Sequence, residues 1–255
     1  MPKISVIICT YNRDSLLERA VSSVLSQSFK DLELVIVDDG SIDDTQSVLA
    51  RLAESDRRIV CVRNEKNLGI SASRNRGAKT ARGEYLAMLD SDDYWLDKEK
   101  LRKQAALLDK REEIALIGTA IVLVDENGTK IGEDIYEVED EQIRLKMLSK
   151  NQFCQSSVMF RKSVFMEVGG YDERFSVCED YDLWLRMGER YKLANLVDIG
   201  IAYLVHPAGI SKKRRLEIIK ASDDLVEKHK NYYPGYIQAK LRSLARFARL
   251  LVMRK

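Results

Sequence analysis

The chain has 255 residues, 45% of them hydrophobic, and a formal net charge of +2. That is enough for one large domain with a substantial core, while no run approaches the ~20 apolar residues of a membrane-spanning helix. Four scattered cysteines without a C-x-x-C pair favour buried thiols in a reducing compartment over a disulfide framework or zinc site. The charge is uneven: no acidic residue follows Glu227, so a mildly acidic body leads into a strongly basic tail, and no nucleic-acid partner is expected.

The chain enters a strand pattern at once, which predicts no signal peptide. Ile4–Cys9 is a short β-branched run, followed by helical spacing over Asp14–Gln27. Glu33–Val37 predicts a second strand and Asp43–Ala53 a second helix, with Ser41 or Asp43 as its N-cap. Ile59–Val62, Ser71–Ala81 and Glu84–Leu89 continue as strand, helix and strand. Strict alternation predicts βαβ units, and continuous apolar strands predict a mostly parallel sheet covered on both faces. Later elements are looser: helix over Asp97–Leu108, strand over Ile114–Val124, helix over Asp140–Leu148, strand over Gln155–Phe160, helix over Asp180–Met187, then strands over Leu193–Val197 and Ile201–Val205. Trp184 is expected in the core beneath the site.

Ligands of open α/β sheets bind beyond the carboxyl ends of the strands. Those ends read Thr10-Tyr11-Asn12, Asp38-Asp39-Gly40-Ser41, Asn67-Leu68-Gly69 with Arg74-Asn75, and Asp90-Ser91-Asp92-Asp93. Tyr11 offers a face for a nucleobase, Asp39 an acceptor for a base N–H or ribose hydroxyl, and Arg74 a partner for a diphosphate. The crowded carboxylates of Asp90-Ser91-Asp92-Asp93 suit a divalent ion shared with substrate phosphate; alone, the run reads equally as a solvated acidic turn capping a helix. No G-x-G-x-x-G or P-loop follows the first strand.

In order and at normal spacing, Ile4–Asn12, Val37–Ser41, Asn67–Gly69 with Arg74–Gly77, Leu89–Trp95, Gly169–Glu173 and Glu179–Arg186 resemble the successive blocks of a family 2 glycosyltransferase. The resemblance covers roughly residues 3–211. It implies a GT-A fold, Rossmann-like with flanking helices: a domain over 1–211, with a nucleotide-binding half over 1–95 and an acceptor-binding half over 96–211, followed by a basic helical extension over 212–255. It places Thr10, Tyr11, Asn12, Asp39, Arg74, Asp90 and Ser91 at the nucleotide-sugar donor, with Asp39 at the base. It implies Mn²⁺ or Mg²⁺ held by Asp92 with Asp90 and His206, and Asp180 as catalytic base. Asp93 is expected only to cap the following turn. The implied reaction is inverting, metal-dependent transfer of one sugar from a nucleotide diphosphate sugar, by family habit a UDP-sugar. The acceptor would be the hydroxyl of a saccharide or lipid-linked acceptor, in cell-surface polysaccharide, lipopolysaccharide or glycolipid synthesis. Without the Q-x-x-R-W motif of processive synthases, a non-processive enzyme is expected. A sugar nucleotidyltransferase would want a Gly-rich, basic loop after the first strand, and an inactive nucleotide-sugar-binding scaffold would not need both the acidic run and Asp180.

Residues 236–254 set Arg242, Arg246 and Arg249 on one helical face against Leu241, Leu244, Ala248 and Leu251. This pattern suits a helix lying on an anionic membrane surface, making the protein cytoplasmic and peripheral on the inner face of the membrane. The competing reading packs the apolar stripe on the body or on a second copy, as a homodimer.

Overall fold

The protein is described from a computed structural model covering residues 1–206, 209 and 213–252; the expected boundary at 211 and the last residues of the basic tail lie outside them. The first half follows the predicted alternation: β1 (Ile4–Thr10), α1 (Asp14–Leu25), β2 (Leu32–Asp38), α2 (Thr45–Ser55), β3 (Ile59–Arg63), α3 (Ile70–Thr80) and β4 (Tyr85–Asp90). The four strands pair in parallel in the order β3-β2-β1-β4. β1 and β2 are buried along their whole length because alternate residues meet different helices. Val6, Ile8, Leu34 and Ile36 pack with Leu17 and Val21 of α1 and Val48 of α2, whereas Ile7, Cys9, Val35 and Val37 pack with Ala78 of α3. The N-cap of α2 is Asp44, not Ser41 or Asp43 as expected, and it makes no side-chain capping bond; the two expected residues bond nearby instead. Asp43 Oδ1 accepts the Thr45 N–H at 3.1 Å, while Ser41 Oγ accepts the Asn12 N–H at 3.0 Å.

The second half extends the same sheet through β5 (Tyr94–Trp95), α4 (Lys100–Lys110), β6 (Ile114–Val124), β7 (Lys130–Asp134), α5 (Asp140–Met147), β8 (Met159–Arg161), α6 (Lys162–Glu167), α7 (Glu179–Gly188) and β9 (Lys192–Leu204). α8 (Arg215–His229) and α9 (Tyr236–Val252) follow. Beyond β4 the order runs β8-β6-β9-β5, with β7 paired to β6. Here β8 is antiparallel to both neighbours and β6 is parallel to β9.

Two sequence expectations change here. The strands predicted over Leu193–Val197 and Ile201–Val205 are one strand, β9, interrupted by bulges opposite Thr119–Ile121. Val197 is exposed there, and Gly200 leaves room for Thr119, whose Oγ1 would lie 2.4 Å from an added Cβ. A bulge breaks the apolar run without ending the pairing. The strand predicted over Gln155–Phe160 begins only at Met159, because Gln155–Ser157 form a 3₁₀ turn. Its serine hydroxyls are engaged outside a ladder: Ser157 Oγ donates to the Cys154 carbonyl at 2.8 Å, and Ser156 Oγ reaches the loop after β4. The cysteine reading also narrows: all four thiols are free, but Cys9 alone is buried and Cys61 is exposed.

Trp184 is fully buried, as expected, with the rings of Phe153, Phe160 and Tyr171 centred 5.6–6.5 Å away. The same cluster takes in Ile7 and Val37 from the first half, Leu225, Val226 and Ala239 from the C-terminal helices, and Tyr233 from the turn between them. One core therefore spans both halves and the start of the extension. An ionic clasp reinforces it. Asp182 of α7, fully buried, meets Arg186 Nε at 2.7 Å and Lys228 Nζ of α8 at 2.7 Å. Burial opposes ionisation of this carboxyl, yet His229, Lys228 and Arg186 hold it well below the usual carboxylate range. Asp182→Ala is expected to lower stability by about 2–3 kcal/mol, measured by urea unfolding at pH 7. The depressed carboxyl adds stability above its unfolded value near ~3.9, so the loss should shrink as pH falls below that value. Among the described residues no helix is long and apolar enough to cross a membrane.

Candidate active site

The carboxyl ends of β1, β2 and β4 open into a cavity of about 1400 Å³. Thr10, Tyr11, Asp39, Arg74, Asp90, Ser91, Asp92, Asp180 and His206 all line it. Asn12 is the predicted site residue absent from the wall. It adopts a left-handed conformation (φ 52°), and its side-chain oxygen accepts the Ile42 N–H at 2.9 Å. It thus pins the loop after β1 to the loop after β2.

At the β1–β2 edge, Tyr11 is 42% exposed and presents its ring to the cavity. Thr10 is buried, and its Oγ1 has no hydrogen-bond partner among the described residues. Asp39 shapes the neighbouring loop. Its Oδ1 accepts from Asn64 Nδ2 at 2.7 Å and the Leu68 N–H at 2.9 Å, and its Oδ2 accepts the Gly69 N–H at 2.9 Å. Gly40 is required beside it: φ is +78°, and a Cβ would lie 2.6 Å from the Lys66 carbonyl carbon.

The acidic run after β4 is sorted by its surroundings. Asp92 faces the cavity, with Oδ2 3.2 Å from His206 Nε2 and 3.9 Å from Arg13 Nη2. Two residues separated by 114 positions are thus brought together by β9, which delivers His206 just beyond its end. Asp93 points the other way and does more than cap a turn. It is buried, and its carboxylate accepts from Ser156 Oγ and from the Leu204 N–H at 2.9 Å. Burial, then the charges of Asp92 and Asp90, push its pKa well above the usual range. Ser156 Oγ also accepts the Asp90 N–H at 3.1 Å, and the Ser156 carbonyl accepts Trp95 Nε1 at 2.8 Å. Asp93 and Ser156 therefore fix the loop and the end of β9 relative to each other. Among the described residues no three His, Cys, Asp or Glu side chains converge as a complete metal cage. A donor set of Asp92 and His206 instead fits an ion that completes its coordination with water and substrate phosphate.

Arg74 differs from its sequence reading. It is buried, and both ends of its guanidinium are engaged: Nη2 with Asp90 Oδ1 at 2.6 Å and Nη1 with Glu179 Oε1 at 2.5 Å. Rather than standing free for a diphosphate, it ties the acidic run to the start of α7. Glu179 opens the Glu179–Arg186 block in the sequence, but its pairing could not be read there because the partner lies 105 residues away. Arg13, beside Asp92, also escaped notice, although it directly follows the Thr10-Tyr11-Asn12 block.

Asp180 stands on the first turn of α7, on the cavity wall. Cys178 enters that helix in a left-handed conformation (φ 61°), uncommon for a residue with a side chain. Asn151 Nδ2 donates to Asp180 Oδ2 at 3.3 Å. Burial, then the neighbouring Glu179 charge, raise the Asp180 pKa to about 7, with Arg74 opposing.

Comparisons with known proteins agree with this architecture. The family model described as glycosyl transferase family 2 matches residues 5–169. An uncharacterized glycosyltransferase of Methanocaldococcus jannaschii, MJ1057, is 31% identical over 80% of this chain and 71% of its own length. The Escherichia coli UDP-Glc:alpha-D-GlcNAc-diphosphoundecaprenol beta-1,3-glucosyltransferase WfaP is 31% identical over 88% of this chain and 86% of its own length. In structure, the Pyrobaculum calidifontis mannosyltransferase PcManGT, solved with GDP-Man and Mn²⁺, superposes with a TM-score of 0.73 at 18% identity, covering 98% of this chain and 75% of that one. With a GT-A sheet, a family match over most of its length and relatives that are glycosyltransferases, the chain belongs to glycosyl transferase family 2 and is a glycosyltransferase.

Proposed function

We propose that the protein transfers a single sugar, with inversion, from a UDP-sugar to an acceptor hydroxyl, in a divalent-metal-dependent reaction of cell-surface polysaccharide or glycolipid synthesis. The observation that carries this reading is the presence, in one cavity, of the Asp92–His206 pair and a carboxyl of raised pKa, Asp180. Tyr11 and the Asp39 loop would receive the base. Asp92 and His206 would hold Mn²⁺ or Mg²⁺, which supplies charge neutralisation for the departing diphosphate. Arg13 adds a fixed positive charge at the same end of the cavity. Asp180 would take the acceptor proton as the new bond forms on the face of the sugar opposite the leaving group, and attack from that face inverts the anomeric centre. A base with a pKa near 7 suits that work, being about half ionised at neutral pH and so able both to take a proton and to release it. The UDP preference is supported by the donor in the name of WfaP and the metal by the Mn²⁺ bound to PcManGT.

The test is donor binding and hydrolysis with and without Mn²⁺. UDP should raise the melting temperature only when Mn²⁺ is present. Asp92→Ala should abolish that increment and lower kcat/KM by about 100-fold, equivalent to ~2.7 kcal/mol. Full activity of the wild type in excess chelator would sink the metal assignment.

A further inference from the structure

The arginines and apolar residues of α9 meet different surroundings. Arg242, Arg246 and Arg249 border the same cavity as Asp180. Arg246 feels the Cys178 and Tyr181 side chains, which flank Glu179 and Asp180, and burial followed by the Arg242 charge makes its own charge harder to hold. Among the described residues none of these three arginines is paired with a carboxylate, unlike the clasped Arg74 and Arg186. Away from the cavity, Ile237, Leu241 and Leu244 are 69%, 62% and 66% exposed. The arginines predicted to lie against lipid headgroups thus stand, exposed, at the border of the cavity together with Ala245 and Leu250, while Ile237, Leu241 and Leu244 lie away from it.

We infer that this arginine row is the subsite for the phosphate groups of an acceptor carried on a lipid diphosphate, with the exposed apolar face of α9 lying at the membrane surface that holds the lipid. The inference rests on the glycosyltransfer reading and adds the chemistry of the acceptor.

The cavity is electrically divided. Asp39, Asp90 and Asp92 make the donor end acidic, with Arg74 already tied to Asp90 and Arg13 beside Asp92, so a phosphate there needs a cation. On the α9 side the cations are already built in. Like charges in a row repel, and an anion between them relieves the repulsion. Arg242 to Arg249 spans about 10 Å at 1.5 Å per residue, enough for two linked phosphates, and guanidinium groups bind phosphate oxygens in pairs. A free nucleotide or inorganic phosphate would satisfy the arginines alone. An apolar face on the same helix is accounted for when the anion also carries a lipid chain.

The probe is farnesyl diphosphate, titrated into protein saturated with UDP and Mn²⁺ so that the donor's phosphate positions are filled. Wild type should bind it, and the Arg242→Gln/Arg246→Gln/Arg249→Gln variant should bind at least about tenfold more weakly (~1.4 kcal/mol). Farnesol, lacking the phosphates, should bind neither protein with comparable affinity. UDP affinity and melting temperature should match between the two proteins. Displacement of farnesyl diphosphate by UDP would place it in the donor site and overturn the inference, as would equal binding by the variant. A variant that loses only its association with phosphatidylglycerol vesicles, and keeps farnesyl diphosphate, would assign the arginines to headgroups instead. Failure of wild type to hydrolyse any nucleotide sugar, with arginine-dependent binding intact, would overturn the transfer reading and not the subsite.

Discussion

Asp180→Asn should lower kcat by about 10³-fold, within the range for a lost general base, while leaving UDP–Mn²⁺ affinity within about twofold of wild type. Asn keeps the shape and the contact with Asn151 but cannot accept the acceptor's proton. The loss corresponds to ~4 kcal/mol of transition-state stabilisation. A weakened donor KM with normal turnover would instead mark Asp180 as a binding residue. The pH profile supplies a second check. The reactive form is the ionised carboxylate, and burial with the Glu179 charge raises its pKa to about 7. The acid limb of kcat/KM should therefore fall as pH drops through about 7, well above the ordinary aspartate value, and the limb should vanish in Asp180→Asn. An acid limb near pH 4 in wild type would contradict the environment described for this carboxyl.

The parts of the fold that could be read from the sequence are those in which each strand faces helices on both sides. β1, β2 and β4 are continuous apolar runs for that reason, and each breaks into polar residues where it leaves the sheet. That break is why Thr10, Tyr11, Asp39 and Asp90 stood out as candidates, and the cavity does gather them. What could not be read is direction and long-range pairing. Asp90, Asp92 and Asp93 are near neighbours in sequence, yet one pairs with Arg74, one faces His206 and one turns inward to Ser156 and Leu204. Nothing local separates them, because the sorting is done by β9 and the 3₁₀ turn at Gln155–Ser157, whose partners lie some sixty to more than a hundred residues away. β9 itself was divided in the reading because a bulge has the composition of a loop. The helical period of α9 showed two faces but not which of them would be turned towards the cavity.

Arg74→Met should cost about 3–5 kcal/mol of stability, the range for removing one partner of a buried ionic group, and also disable the site. The guanidinium is the positive centre of an Asp90–Arg74–Glu179 triad, and Met leaves buried Glu179 and half-buried Asp90 without their cation. Simple loss of packing would destabilise the protein without a distinctive pH signature. Loss of this charge has one. Arg74 is the group that opposes the rise in the Asp180 pKa, and Glu179 is the neighbour that promotes it. Removing Arg74 therefore pushes Asp180 further upward, and the acid limb of kcat/KM in the folded variant should move to higher pH. Adding Glu179→Gln removes one of the orphaned charges together with the one that raises Asp180. The double variant should thus recover part of the stability and bring the acid limb back down. Additive losses in that cycle, with no shift of the acid limb in either variant, would reduce Arg74 to a packing residue. Recovery of both quantities together would establish it as the electrostatic tie between the acidic run and Asp180, set by a contact spanning 105 residues of sequence.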